Sequence, residues 1–218
     1  KNLHNTIKWF IEEFRNEDVG LVVKSNFAKN CLMDRNRLFV ELKKFIDQQG
    51  ERQCKVYLLQ GDMTDAEIHS LYKHPKINAF ISLPHGEGFG LPIFEAAYSG
   101  LPVVTVGWSG QLDFLVDPQG KEKFYNVAFD LQHVQKEVHW EGVIIPESMW
   151  AFARESSAKQ EMRRCYEDNN QQDSADYANE LFDRFSEEKM YKQFVDHIYK
   201  PDPELEMWLK KLDEMEDL

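Results

Sequence analysis

Four short apolar segments punctuate the first half of the chain: residues 19–24 (VGLVVK), 55–59 (KVYLL), 79–83 (AFISL) and 102–106 (PVVTV). Their apolar residues run consecutively instead of alternating, so neither face is left for water. Stretches of helical spacing separate them. Leu3, Ile7, Ile11 and Phe14 make one helix face, and Leu38, Leu42, Phe45 and Ile46 another. Buried strands joined through helices predict a doubly wound α/β domain, a parallel sheet with helices on both faces. Local signals set the expected boundaries. Asp34 reads as the cap of the second helix and Gly50 as its end. Thr64 and Glu67 form a T-x-x-E capping box opening a helix with Ile68, Leu71 and Tyr72. Pro92 suits a helix start, Ala96 and Ala97 continue that helix, and Gly100 suits its end. Residues 126–129 read as a fifth strand.

From Arg154 onward the pattern is helical, with caps expected at Ser174 and Ser186 and a break at Pro201. The expected organisation is a core over 1–153 and C-terminal helices over 154–218 packed on the same domain. Charge divides along similar lines. Residues 141–218 hold 20 acidic and 10 basic side chains, and residues 1–140 hold 18 and 16. A net charge of −12 argues against a nucleic-acid-binding surface, and the acidic final third reads as a solvated helical flank. An anion site therefore belongs in the first two thirds. The closing stretch LEMWLKKLDEMEDL is amphipathic enough to dock on a partner or on the domain itself. No apolar run approaches the ~18 residues of a membrane span. The opening KNLHNTIKWFIEEF reads as an amphipathic helix, not a signal peptide. Cys31, Cys54 and Cys165 are odd in number and widely spaced, which fits thiols in a reducing, cytoplasmic setting. A first residue other than Met suggests a fragment.

Ligands of open parallel sheets bind beyond the carboxyl ends of the strands. The loop after the third such segment is His85-Gly86-Glu87-Gly88-Phe89-Gly90-Leu91-Pro92. Its three glycines allow close backbone approach to a ligand. The helix beginning near Leu91 offers N–H groups and a positive dipole end to phosphate. Glu87 lies in the turn and Glu95 about one turn into the helix, with seven residues between them. Carboxylates repel phosphate but suit flanking hydroxyls, a sugar on one side and a ribose on the other. The order G-x-G-x-G after a late strand is not the dinucleotide fingerprint. Standing alone, it is equally a tight strand–helix turn with two surface glutamates.

The longer string EGFGLPIFEA, followed by SGLPVV, resembles the E-x7-E signature of the family 4 (group 1) retaining glycosyltransferases of GT-B fold. The surrounding frame LLQGDMTDAEIHSLYKHPKINAFISLPHGEGFGLPIFEAAYSGLPVVTVGWSGQLDFL agrees, and the likeness reaches back over roughly residues 1–130. It implies a Rossmann-like domain, the donor-binding half of a GT-B enzyme, with the acceptor domain missing upstream. Glu87 would then accept hydrogen bonds from the transferred hexose. Backbone N–H groups of Gly88, Phe89 and Gly90 would line the sugar, and those around Gly90 and Leu91 the diphosphate. Glu95 would hold the ribose hydroxyls. Lys24 and Lys1 match basic positions that face the diphosphate, and Met63, in the turn 60–64, matches the nucleobase contact. Glu87 and Lys24 are the residues assigned to catalysis.

The resemblance implies retention of configuration and transfer without metal, and the chain contains no D-x-D sequence. No cofactor is expected beyond the nucleotide-sugar donor. Charge building on the leaving diphosphate would meet Lys24 and the helix N-terminus. One well-placed donor of this kind contributes about 3 kcal/mol. Two other classes fit the same fold: a nucleotide-sugar epimerase, and a non-catalytic binding or scaffold module. His85 reads as a structural or surface residue that is also placed to touch the sugar. Gly107-Trp108-Ser109-Gly110, after the fourth strand, is placed to reach the ligand, though Trp108 reads chiefly as a packing aromatic, and Asp113 reads as either a helix cap or a donor contact. His133, Glu137 and His139 lack metal-ligand spacing.

Overall fold

The computed structural model describes residues 2–26, 31–168, 171–198, 207–208 and 210–211. The chain divides into two units, residues 1–178 and 179–218. The first opens with α1 (Leu3–Glu13), β1 (Gly20–Lys24), α2 (Leu32–Asp47), β2 (Lys55–Leu59) and α3 (Asp65–Tyr72). It continues with β3 (Phe80–Ser82), α4 (Leu91–Tyr98), β4 (Val103–Val106), α5 (Leu112–Leu115) and β5 (Tyr125–Val127). An antiparallel pair, β6 (Phe129–His133) and β7 (Met149–Ala153), precedes α6 (Glu155–Asp168), and α7 (Gln171–Arg184) begins in the first unit and ends in the second. The architecture is α/β, parallel strands alternating with helices.

β1 pairs parallel to β2, with Gly20 opposite Lys55 and Lys24 opposite Leu59. β3, β4 and β5 form a second parallel ladder in that order, Ile81 facing Val104 and Thr105 facing Asn126. Every residue of β4 is buried. Successive strand residues point to opposite faces, so both faces of β4 are covered, as its unbroken apolar run requires. One core joins the two ladders: Ile7, Ile11 and Phe14 of the N-terminal helical segment pack with Val23, Leu83, Val104, Val106 and Val127. α6 adds Ala158, Met162 and Cys165 to it. Arg163 fixes α6 to α1, its guanidinium 2.8 Å from Glu13 and 2.5 Å from Glu17, stacked over the Phe14 ring.

Several helix ends follow their local chemistry. Thr64 Oγ1 accepts the Glu67 N–H at 3.3 Å, and the Glu67 carboxylate accepts the Thr64 N–H at 2.8 Å. α4 ends in a Schellman motif: Gly100, at φ 84°, donates to the Ala97 carbonyl, and Leu101 donates to that of Ala96. Other ends differ from expectation. Asp34 lies inside the first turn of α2, and Cys31 is its cap residue. A carboxylate there is favoured by the helix dipole as readily as one at the cap, which is why the type misleads about the boundary. Ser174 likewise lies within α7, and Pro201 is outside the described residues.

The expected strand over 126–129 is two strands. The Ala128 N–H bonds the Ser157 hydroxyl at 2.9 Å and its carbonyl accepts from Arg154 N–H at 2.8 Å. Those bonds take Ala128 out of the parallel ladder, and the chain turns into the β6–β7 hairpin. In the second unit, α8 (Glu187–Ile198) follows Ser186, whose carbonyl accepts the Met190 N–H. No residue of α8 is buried. Among the described residues, the three cysteines are free thiols, Cys31 exposed and the other two buried. No described helix is long and apolar enough to cross a membrane.

Candidate functional site

Because β1 to β5 run parallel within their ladders, the segments leaving β3 and β4 emerge at the same edge of the sheet. β3 delivers the chain through buried Leu83 and Pro84 to His85. His85 is tied to the hairpin: its carbonyl accepts the Ala151 N–H at 3.0 Å, and its Nδ1 lies 2.8 Å from the Ala151 carbonyl. A carbonyl only accepts, so Nδ1 carries the proton. The imidazole stacks on Trp150, with centroids 5.3 Å apart and planes 8° apart. His85 thus has a structural position at the root of the loop.

The loop then lies against the segment leaving β4. Ser109 Oγ donates to the Glu87 carbonyl at 2.7 Å and accepts the Glu87 N–H at 3.3 Å. Gly110 N–H donates to the same Glu87 carbonyl at 3.0 Å. A Cβ at Gly110 would stand 1.8 Å from the Gly88 carbonyl oxygen, so only glycine allows this approach. Gly90, at φ 88°, is the cap residue of α4 and adopts a conformation that favours glycine. Beneath it, fully buried Gln111 donates Nε2–H to the Val106 carbonyl at 3.0 Å. Phe89 folds its ring toward Phe94 and Phe114, with centroids 5.3 and 5.0 Å away. The exposed Leu91 then starts α4, whose first-turn N–H groups supply the positive end of the helix dipole.

Glu95 is the fifth residue of α4 and half-buried. Burial, helped by the nearby Asp65 charge, raises its pKa above the ordinary carboxylate value. Among the described residues, no hydrogen-bond donor reaches its carboxylate. Tyr72 of α3 stands close: its hydroxyl donates to the Pro92 carbonyl at 3.4 Å, and burial with the Glu95 charge pushes its pKa up to about 12. This carboxylate would gain from accepting hydroxyl donors.

Lys24 ends β1 and turns toward the loop after β2. Its Nζ donates to the Gly61 carbonyl at 2.6 Å and to Asn26 Oδ1 at 3.2 Å. Asn26 Oδ1 also accepts the Gly61 N–H, and its Nδ2 donates to Asp62. Lys24 therefore belongs with the turn that carries half-buried Met63, and no hydrogen bond joins it to Glu87. Gln60 Nε2 in that turn is buried with no hydrogen-bond partner among the described residues. Lys1 is outside the described residues. Trp108 packs on Phe129, centroids 5.6 Å apart, and Asp113 falls in the first turn of α5 while Gln111 is its cap residue. No group of three or more potential metal ligands occurs among the described residues.

Asn26, Ser109, Gly110 and Gln111 shape the site; Ser109 and Gly110 are expected from the sequence to lie near the ligand, but the contacts made by these four residues are not. A signal existed for the last three: S-G-Q follows an apolar strand that neighbours the strand leading into the glycine loop.

Comparison with known proteins adds little. No family model and no curated protein matches the chain. Among solved structures it is similar to a chain in the crystal structure of a GtfA/B complex, with TM-score 0.48 and 14% sequence identity. The match covers 84% of this chain and 37% of that one, so the chain spans little more than a third of that protein's length. A likeness of this degree carries no statement about activity.

Proposed function

We propose that the chain is the donor-binding half of a glycosyltransferase, seating a nucleotide-diphosphate sugar at the edge formed by loop 85–91, segment 107–111 and turn 60–64. The observation that carries this reading is the pairing of a braced glycine loop, opening onto the start of α4, with a half-buried Glu95 that no donor reaches among the described residues. The loop and helix start supply N–H groups for phosphate, and the two glutamates recognise hydroxyls on either side of it. Glu87 orients the hexose, Glu95 takes the ribose, and the turn with Met63 lodges the base. As the bond to the anomeric carbon breaks, its electron pair goes to the departing diphosphate oxygen, while an acceptor hydroxyl oxygen bonds to that carbon and passes its proton to the departing phosphate. N–H groups around Gly90 and Leu91 stabilise that charge. Lys24 assists once its ammonium turns from Gly61 toward the diphosphate, and Lys1 is a second proposed cation for the same anion. Transfer retains configuration, needs no metal and requires an acceptor-binding domain as the other half of the enzyme.

Calorimetric titration with UDP-, GDP- and ADP-hexoses tests this directly. One nucleotide series binds, and Glu95→Ala weakens it about five- to 150-fold, because a lost pair of hydroxyl acceptors is worth about 1–3 kcal/mol. Binding to none of the three contradicts the reading and favours a scaffold. Epimerisation of the donor without acceptor favours an isomerase. Sugar transfer by this chain alone contradicts the half-enzyme assignment.

A further inference from the structure

We infer that Ser109 and Gly110 are positioning residues that clamp the backbone of Glu87 and thereby aim its carboxylate at the donor sugar, an inference that rests on the donor-site reading. Ser109 occupies the left-handed region at φ 80°, where a side chain is strained and glycine is the usual choice. The chain places glycines at 107 and 110, yet the positive φ falls on a serine. What serine adds over glycine at that position is its hydroxyl, which both donates and accepts a hydrogen bond.

One oxygen bridges both polar groups of a single residue, accepting the Glu87 N–H at 3.3 Å and donating to the Glu87 carbonyl at 2.7 Å. Gly110 N–H supplies a second bond to that carbonyl at 3.0 Å. The peptide units on both sides of the Glu87 Cα are therefore held, which fixes its φ and ψ and the exit direction of the side chain. The absent Cβ at Gly110 lets the loop come within reach of the hydroxyl. Ser109 sits 22 residues from Glu87 in sequence, so the clamp is a tertiary device and not a local turn. Gly86 shows the same proximity, since a Cβ there would stand 3.7 Å from Ser109 Oγ.

The test is Ser109→Gly, which removes the hydroxyl while relieving the strained φ. Two readouts are taken: amide hydrogen exchange at Glu87, and titration with both the nucleotide sugar and the matching nucleoside diphosphate. The variant should melt at or slightly above the wild-type temperature, and exchange at Glu87 should rise about tenfold. Nucleotide-sugar affinity should fall about tenfold, as misplaced recognition groups do, while nucleoside-diphosphate affinity stays within about twofold. A merely structural role would lower both affinities together, and that result overturns the proposal. Unchanged exchange at Glu87 overturns the clamp whatever the ligands do. A wild-type chain that binds no nucleotide sugar, with exchange at Glu87 still raised in the variant, removes the donor-site reading and the sugar role together.

Discussion

The glycine loop 85–91 and the turn 60–64 both lead from a parallel strand into a helix, but they are held by different means. The glycine loop is fixed largely through backbone groups: His85 to Ala151, and Glu87 to Ser109 and Gly110, above a fully buried Gln111. The turn is held mainly by the side chains of Lys24 and exposed Asn26, and it leaves Gln60 Nε2 unsatisfied among the described residues. Backbone groups and a short serine side chain have few alternative geometries, even though the Glu87–Ser109 bonds are exposed. Long side chains in contact with water re-sort their bonds at little cost. The proposed sugar and diphosphate half is thus pre-formed, and the proposed base half adjusts when a ligand arrives. Pre-formed contacts avoid the ordering cost of binding, so most of the affinity should reside in the first half.

The sharpest way to break this contrast is Gly110→Ala. The new Cβ meets the Gly88 carbonyl oxygen at 1.8 Å, and backbone cannot yield as a flexible side chain would. Denaturant unfolding should show a loss of about 3 kcal/mol, typical of severe overpacking. Donor affinity should fall about 100-fold or more with the loop displaced. Near-wild-type binding by this variant would mean the loop is not braced as described. The corresponding change on the other side, Asn26→Ala, removes three hydrogen bonds around the turn. Its position is exposed, so stability should move by no more than ~0.5 kcal/mol. Affinity should drop only about two- to fivefold, with altered preference among bases, which parallel titrations would reveal.

A smaller effect concerns Glu95, which lies between the two regions. Its folded pKa is raised by burial and by Asp65, so the protonated form favours folding. That contribution is complete below the unfolded pKa and is lost as pH rises through the raised folded value. Glu95→Gln, neutral throughout, should therefore melt about 1–3 °C higher than wild type at pH 7 and show no advantage at pH 4. Thermal scans at both values check it, and a gain at pH 4 alone would reverse the assigned sign.

Much of the fold was legible because unbroken apolar runs have few ways to be buried. Residues 55–59 form β2 as expected, and the capping box at Thr64 and the glycine at Gly100 act where their chemistry places them. Asp34 and Ser174 misled because one residue type serves both the cap and the first turn. The β6–β7 hairpin was missed because β6 is largely exposed and its start is set by Ser157 and Arg154, residues distant in sequence. In the site, glycine spacing disclosed the loop and the positions of Glu87 and Glu95. It did not disclose what holds the loop, since the Ser109 hydroxyl reaches Glu87 only after β3 and β4 have paired. It also did not show that Lys24 bonds the turn at Gly61.

The central claim is that a nucleotide-sugar donor seats on the glycine loop and the start of α4. Amide chemical shifts of a labelled chain, followed during titration with the hexose of each nucleotide, test it most directly. One donor series should move the amides of Gly88, Phe89, Gly90 and Leu91 most, with smaller shifts at His85 and over 60–64 and little change in the β6–β7 hairpin. Shifts concentrated elsewhere, or none with any donor at millimolar concentration, would contradict it.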